Sequence, residues 1–354
     1  MAELIAARQE DYDALAGYLG AFIGTYGERR FWLSRFRLWW DANPAYAADQ
    51  PRGWLLKDQG RIAGFLGAVP SRMLVGGGER TVYSITSWMV DEAFRDRSLE
   101  LLLRLMEHAA DTLLFDTTPT DHVDEILRNL EFKPLPWGED KESFVLIDPA
   151  RCVEALLPEL PGSGLAAKAA AAPLGLLQRL RGAGAGKSGR RVARCAAADA
   201  AFDTLWESTR KSAATTNVRT AAVLKWHCTE DDKIDKRLYA CREGDKLSAY
   251  AIMRVRDRRG LRTLECVDLW PNETPALSDL ISQIAEDARI EGLHLLTFPH
   301  FSPRLGARLR ELNLFERGLR RKNLCLAPAG LRDALREENS YFVGLQGDYG
   351  TAGP

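Results

Sequence analysis

The chain has 354 residues, 46% of them hydrophobic and 27% charged, with 48 basic against 49 acidic side chains and a formal net charge of −1. That is the composition of a soluble globular protein, and its length exceeds what one hydrophobic core usually serves, so two domains are expected. The balanced charge argues against a nucleic-acid surface, with Arg317, Arg320, Arg321 and Lys322 the one local basic patch, and no apolar run is long enough to predict a membrane span.

The opening residues, MAELIAARQEDYDAL, carry acids early and no apolar core, so no signal peptide is expected. Cys152, Cys195, Cys228, Cys241, Cys266 and Cys325 form no CxxC pair. Reduced thiols in a cytoplasmic protein, with no metal site, are the expectation.

Taken in chain order, Asp11 to Tyr18 reads as a helix and leads through the aromatic segment Arg37-Leu38-Trp39-Trp40. Gly53 to Leu56, a turn at Asp58-Gln59-Gly60, and Arg61 to Val69 read as a hairpin, two β-prone runs about a turn signal. Tyr83 to Val90 is a third strand. The helix Arg97 to Thr112 follows, with Leu99, Leu102, Leu103 and Met106 at helical spacing. A strand from Thr112 to Asp116, a helix from Asp121 to Leu130 and a strand from Ser143 to Ile147 complete the region.

Pro158 to Arg191 is rich in Ala, Gly and Pro and reads as a linker holding a short helix, Leu174 to Leu180. Its run Gly182 to Ser188 ends in Gly-Lys-Ser but has Arg181 where a phosphate-binding loop needs its first Gly, so nucleotide hydrolysis is not expected.

The plan then repeats. A helix (Phe202 to Lys211), a hairpin (Leu238 to Arg242 with Lys246 to Val255), a strand (Arg262 to Leu269) and a helix (Leu277 to Ile290) come first. A strand (Leu293 to Phe298), a helix (Pro303 to Leu312) and a last strand (Arg321 to Leu326) follow. Val90-Asp91 aligns with Val267-Asp268, and Leu127 to Leu130 with Leu309 to Leu312. A repeated supersecondary plan indicates a duplicated unit, here an α/β fold whose mixed sheets are flanked by helices. The boundaries expected are 1–150 for the first domain, 151–191 for the linker, 192–330 for the second domain and 331–354 for a tail that packs back.

Ser87 to Leu99 runs from a strand through a short turn into a helix. A helix N-terminus offers unpaired N–H groups and a positive dipole end, a seat for phosphates, and Arg95 and Arg97 add charge. This stretch resembles the acyl-CoA-binding segment of the GCN5-related N-acetyltransferases, a strand followed by Arg/Gln-x-x-Gly-x-Gly/Ala and a helix. Arg95 matches the first position, while Ser98 and Glu100 replace the small residues. Glu125 to Phe132 resembles the family's later helix ending in Leu-Gly-Phe, with Glu131 for Gly.

The resemblance implies a cofactor seat of Met89, Val90, Arg95, Arg97, Ser98 and Leu99, with Thr117 and Thr118 toward the pantetheine arm, and Asp91 or Glu92 as general base. The family's Tyr general acid would fall near Leu127, and no Tyr occurs between Val90 and Asp148. Asp268 and His300 are the weaker candidates of the second region, which lacks glycine after its third strand. The tandem plan resembles proteins of this fold associated with bacterial polysaccharide synthesis. The implied activity is acyl transfer from acetyl-CoA or another acyl-CoA to an amine of a sugar or other small acceptor. A Fem-like aminoacyl-tRNA-dependent transferase and a non-catalytic binding protein of the same fold are the alternatives.

Overall fold

The computed structural model describes residues 2–22, 28–135, 140–156, 173, 189–228, 230, 234–258, 260–271, 275–319, 322–336, 338 and 340–345. The short helix expected at 174–180 lies outside the described residues.

The first half of the chain forms β1 (Glu3–Ala6), α1 (Tyr12–Ala21), α2 (Arg29–Phe36), β2 (Gly53–Asp58), β3 (Arg61–Val75) and β4 (Gly78–Val90). It continues with α3 (Ser98–His108), β5 (Leu114–Asp116), α4 (Asp121–Asn129), β6 (Lys133–Pro134), β7 (Lys141–Leu146) and α5 (Pro149–Leu156). The second half forms β8 (Arg191–Cys195), α6 (Ala200–Thr209), β9 (Thr215–Asn217), α7 (Ala221–Cys228), β10 (Lys236–Glu243), β11 (Lys246–Arg258) and β12 (Leu261–Trp270). It ends with α8 (Leu277–Ile290), β13 (Leu295–His300), α9 (Pro303–Glu311), β14 (Phe315–Gly318), β15 (Leu324–Leu326) and β16 (Ser340–Tyr341).

These strands make two mixed sheets. One runs β1-β2-β3-β4-β5-β15-β6, with β9 and β16 attached beside β3; the other runs β14-β7-β13-β12-β11-β10-β8. In each sheet a long antiparallel hairpin leads to a strand that pairs in parallel with the next: β4 with β5, β12 with β13. The two sheets share this order.

The closing strands are exchanged. β7, which follows the first half's helices, lies between β13 and β14 of the second sheet, with Phe144 opposite Thr297 and Phe315. β15, encoded near the C-terminus, joins β5 and β6 of the first sheet, with Cys325 opposite Phe115 and Lys133. The expectation that each of these strands closes its own region is therefore corrected. Both are short, and their residues place them in a sheet without saying which. α5 also occupies part of what reads as linker.

Sequence chemistry explains the tight places. Gly53 (φ +137°) faces Gly67 across the β2–β3 ladder, and a Cβ on Gly53 would meet the Leu66 carbonyl oxygen at 2.2 Å. Phe36, Trp39 and Trp40, from the aromatic segment, are core: they pack with Tyr12 and Phe65 beneath α1, and Trp40 donates to the Ala68 carbonyl at 2.8 Å. The halves are joined directly as well. Trp226 Nε1 donates to the Leu38 carbonyl at 2.6 Å, and β9 continues the end of β3.

The second sheet buries charge. Arg254 and Glu265 are 2% and 1% exposed and lie 2.5 Å apart. Burial alone would raise the Glu265 carboxyl, but Arg254 and then Arg256 outweigh it and hold it below the ordinary carboxylate range. A depressed folded-state pKa adds stability above the unfolded value of 4.5 and loses it as pH falls through the folded one. Glu265→Gln, which takes the carboxylate away from the buried Arg254, is expected to cost roughly 3 kcal/mol near neutrality. The loss should shrink below about pH 4 in urea titrations across pH; a pH-independent difference would contradict the assignment.

Candidate active-site cleft

β4 and β5 pair only at Tyr83 with Leu114 and Ser84 with Phe115. β5 ends at Asp116 while β4 runs on to Val90, so the two strands part. The parting is sharpened on β4 itself. Phe65 pairs with Met89 and Gly67 with Thr86, which leaves Ser87 and Trp88 together opposite Leu66. This is a β-bulge, with Ser87 at φ +52°, a left-handed conformation uncommon for a non-glycine residue. Bulges re-aim side chains, and here Trp88 and Val90 turn toward the helices α3 and α4, while Met89 packs with the α1 and α2 aromatics.

The opening holds a cavity of about 490 Å³, within the range of small-molecule sites. Trp88 and Val90 line it from β4, Arg95 from the 3-10 turn Glu92–Arg97, Ser98 and Leu99 from the start of α3, and His122, Val123 and Ile126 from α4. No side chain caps the 3-10 turn or α3. The Trp88 indole N–H is buried without a hydrogen-bond partner.

Of the residues expected to seat a cofactor, Val90, Arg95, Ser98 and Leu99 converge on this cavity. Arg97 does not. Its Nε and Nη2 donate to the Glu100 carboxylate at 2.8 and 2.6 Å, and its Nη1 donates to the Ala2 carbonyl. Glu100 is thereby neutralised, and its pKa is lowered by that bond to Arg97. Thr117 is buried, Thr118 is exposed with its N–H on the Asp116 carboxylate at 3.1 Å, and neither lines the cavity.

Asp91 and Glu92 do not meet there either. Asp91 lines a separate cavity on the α1 side, and Glu92 is exposed on the 3-10 turn. Leu127 is fully buried under α3, so no hydroxyl stands at the position where the family's acid would fall.

Sequence reasoning missed Trp88, His122, Val123 and Ile126. The spacing of 122, 123 and 126 along one helical face carried the signal for the α4 wall. Nothing local marked the bulge that turns Trp88 inward.

The second half has the same parting of strands with different contents. β12 and β13 pair only from Thr263 to Glu265 on the β12 side. Asp268 is fully buried, and Arg219 Nε and Nη2 donate to it at 3.1–3.2 Å while Tyr250 donates at 2.5 Å. Arg219 also stacks 4.5 Å from the Trp270 ring centre, and Tyr341 donates to the Leu269 carbonyl at 2.6 Å. Asp268 is thus a structural counter-ion. His300 ends β13, wholly buried beside Ser143, instead of lying at a cleft mouth. Of the basic patch, Arg317 pairs with Glu142 and Lys322 with Asp121.

No family model matches the chain, and no curated protein matches it. Solved structures do. A GCN5-related N-acetyltransferase from Anabaena variabilis aligns over 92% of this chain and 72% of its own, with TM-score 0.57 and 12% identity. One from Kribbella flavida aligns over 92% and 70%, with TM-score 0.58 and 13% identity. A protein of unknown function from Enterococcus faecalis, titled a probable N-acyltransferase, aligns over 92% and 72% with TM-score 0.57 and 9% identity. In fold, the chain is similar to the GCN5-related N-acetyltransferases. Among the described residues no helix is long and apolar enough to cross a membrane.

The left-handed Ser87 gives a direct test of the bulge. A β-branched residue is disfavoured there by about 1–2 kcal/mol, whereas Gly adopts φ > 0 freely. Ser87→Val should lower the urea midpoint at unchanged m-value and Ser87→Gly should not; equal effects would contradict the bulge.

Proposed function

We propose that the chain is an acyltransferase that takes its acyl group from acyl-CoA in the cleft between β4, α3 and α4. The observation that carries this reading is the convergence of Arg95, Ser98, Val90 and Trp88 on one cavity where two parallel strands part. The residues fit the donor's two kinds of surface. Trp88, Val90, Leu99, Val123 and Ile126 offer an apolar lining for a pantetheine chain. Arg95, which has no ion pair among the described residues, and the Ser98 hydroxyl sit at the start of a helix where a diphosphate is favoured. The Arg97–Glu100 pair removes the acidic charge that would oppose it.

The acceptor in this reading is an amine on a small molecule, a sugar amine being one such. Its lone pair attacks the thioester carbonyl carbon, the N–C bond forms, the C–S bond breaks and the thiolate departs. The ammonium proton passes to solvent or directly to the thiolate. The protein's contribution is positioning.

A second reading, a ligand-binding protein of this fold without catalysis, is favoured by the buried Leu127 where an acid would stand. The acyltransferase reading requires the donor site; a binding protein of this fold does not. Saturating acetyl-CoA is expected to raise the melting temperature, by about 2.7 kcal/mol of stabilisation at a hundredfold excess over Kd. Arg95→Ala should weaken binding roughly ten- to a hundredfold. Absence of any shift with acetyl-CoA or longer acyl-CoAs would contradict the acyltransferase reading and favour the second.

A further inference from the structure

Val90 and Asp91 are neighbours at the end of β4 and face opposite sides of the sheet. Val90 lines the cleft against α3; Asp91 lines a second cavity, of about 540 Å³, on the α1 side. This cavity lies between α1 and the β2–β3 turn, and its polar side chains are Asp91, Tyr18, Gln59 and Arg61.

Their hydrogen-bonding states define what the cavity can take. The Tyr18 hydroxyl donates its one proton toward the carbonyls of Ala63 and Met89, at 3.1 and 3.4 Å. Burial first, and then the neighbouring Asp91 carboxylate, push its pKa up, so it remains a neutral phenol. Its oxygen also lies in hydrogen-bonding contact with the Asp91 carboxylate and backbone N–H. The backbone N–H of Asp91 is committed to the Ala63 carbonyl at 2.8 Å, and no cation is paired with its carboxylate among the described residues. The cavity floor therefore presents a phenol and a carboxylate in mutual contact, the carboxylate without a paired cation among the described residues, and asks for a donor with positive charge. At the rim Arg61 is exposed, with no ion pair among the described residues, and asks for an anion. Ile62 and Ala14 complete walls too apolar to satisfy either end.

We propose that this cavity is a binding site for a small zwitterion, with its primary ammonium on Asp91 and Tyr18 and its anionic group toward Arg61. The site is separate from the acyl-donor cleft, on the other face of the same strand, and stands whether or not that cleft holds acyl-CoA. The ligand class follows from the two unpaired charges of opposite sign in one cavity.

Calorimetric titration of the full chain with glycine, β-alanine, 4-aminobutyrate, methylamine and acetate tests this. At least one amino acid of the series should bind more tightly than methylamine or acetate. Asp91→Asn should weaken it about ten- to a hundredfold. Arg61→Ala should remove the advantage over methylamine, and Tyr18→Phe, which keeps the packing, should weaken binding by a smaller factor. Melting temperatures near wild type establish that the variants are folded. No binding by any amino acid of the series, or binding unchanged in Asp91→Asn, would overturn the proposal.

Discussion

Each sheet of this molecule is closed by a strand that the other half of the chain encodes: β7 sits between β13 and β14, and β15 sits between β5 and β6. Because β15 supplies β5 with its second neighbour, the short strand Leu114–Asp116 that forms one lip of the cleft is fixed by residues more than two hundred positions away in sequence. The cleft is consequently a property of the whole chain. Further ties run the same way. Phe301 and Phe342, from the second half, pack with Phe115 and Val82 of the first, and Thr215 Oγ1 accepts from Gly76 N–H while donating to Ala334. Interlocked sheets of this kind make independent folding of the halves unfavourable, since each would leave a strand edge and an apolar face uncovered.

The two halves share a parting of parallel strands and use it differently. In the second, Arg219, Asp268, Tyr250 and Tyr341 form a fully buried and mutually satisfied network. Groups of opposite charge at such contact, with their remaining donors bonded to Thr216 and the Asn217 carbonyl, specify one arrangement and leave little chemical capacity for a ligand. In the first half the corresponding strand end carries Val90 and Asp91 on opposite faces, and Arg95 is left without an ion pair among the described residues. Open charge sits in the first half and closed charge in the second.

Much of this was legible before the structure. The hairpins, α3 and α8 follow from periodicity and turn residues, and α8 matches the expected Leu277 to Ile290. Trp32, Phe36, Trp39 and Trp40 are core. Strand partnership was not legible: β7 and β15 look like closing strands of their own regions, and only non-local packing assigns them across. At the site, strand-turn-helix reasoning found Arg95, Ser98, Val90 and Leu99. It did not find that Glu100 captures Arg97, because an i, i+3 pair on a helix surface is equally compatible with both groups facing solvent. Nor did it find which face Asp91 takes. That depends on the bulge at Ser87 and Trp88, which shifts the alternation of the strand by one residue.

The central claim is that a working acyl-donor site lies in the first half, at the parted end of β4 and β5. A crystal structure of the full chain grown with acetyl-CoA tests it most directly. The account predicts the pantetheine arm against Trp88 and Val90 with the diphosphate beside Arg95 and Ser98, and the Arg219–Asp268 network unchanged. Acetyl-CoA bound instead at the β12–β13 parting, or a cleft closed to it at saturating concentration, would contradict the account.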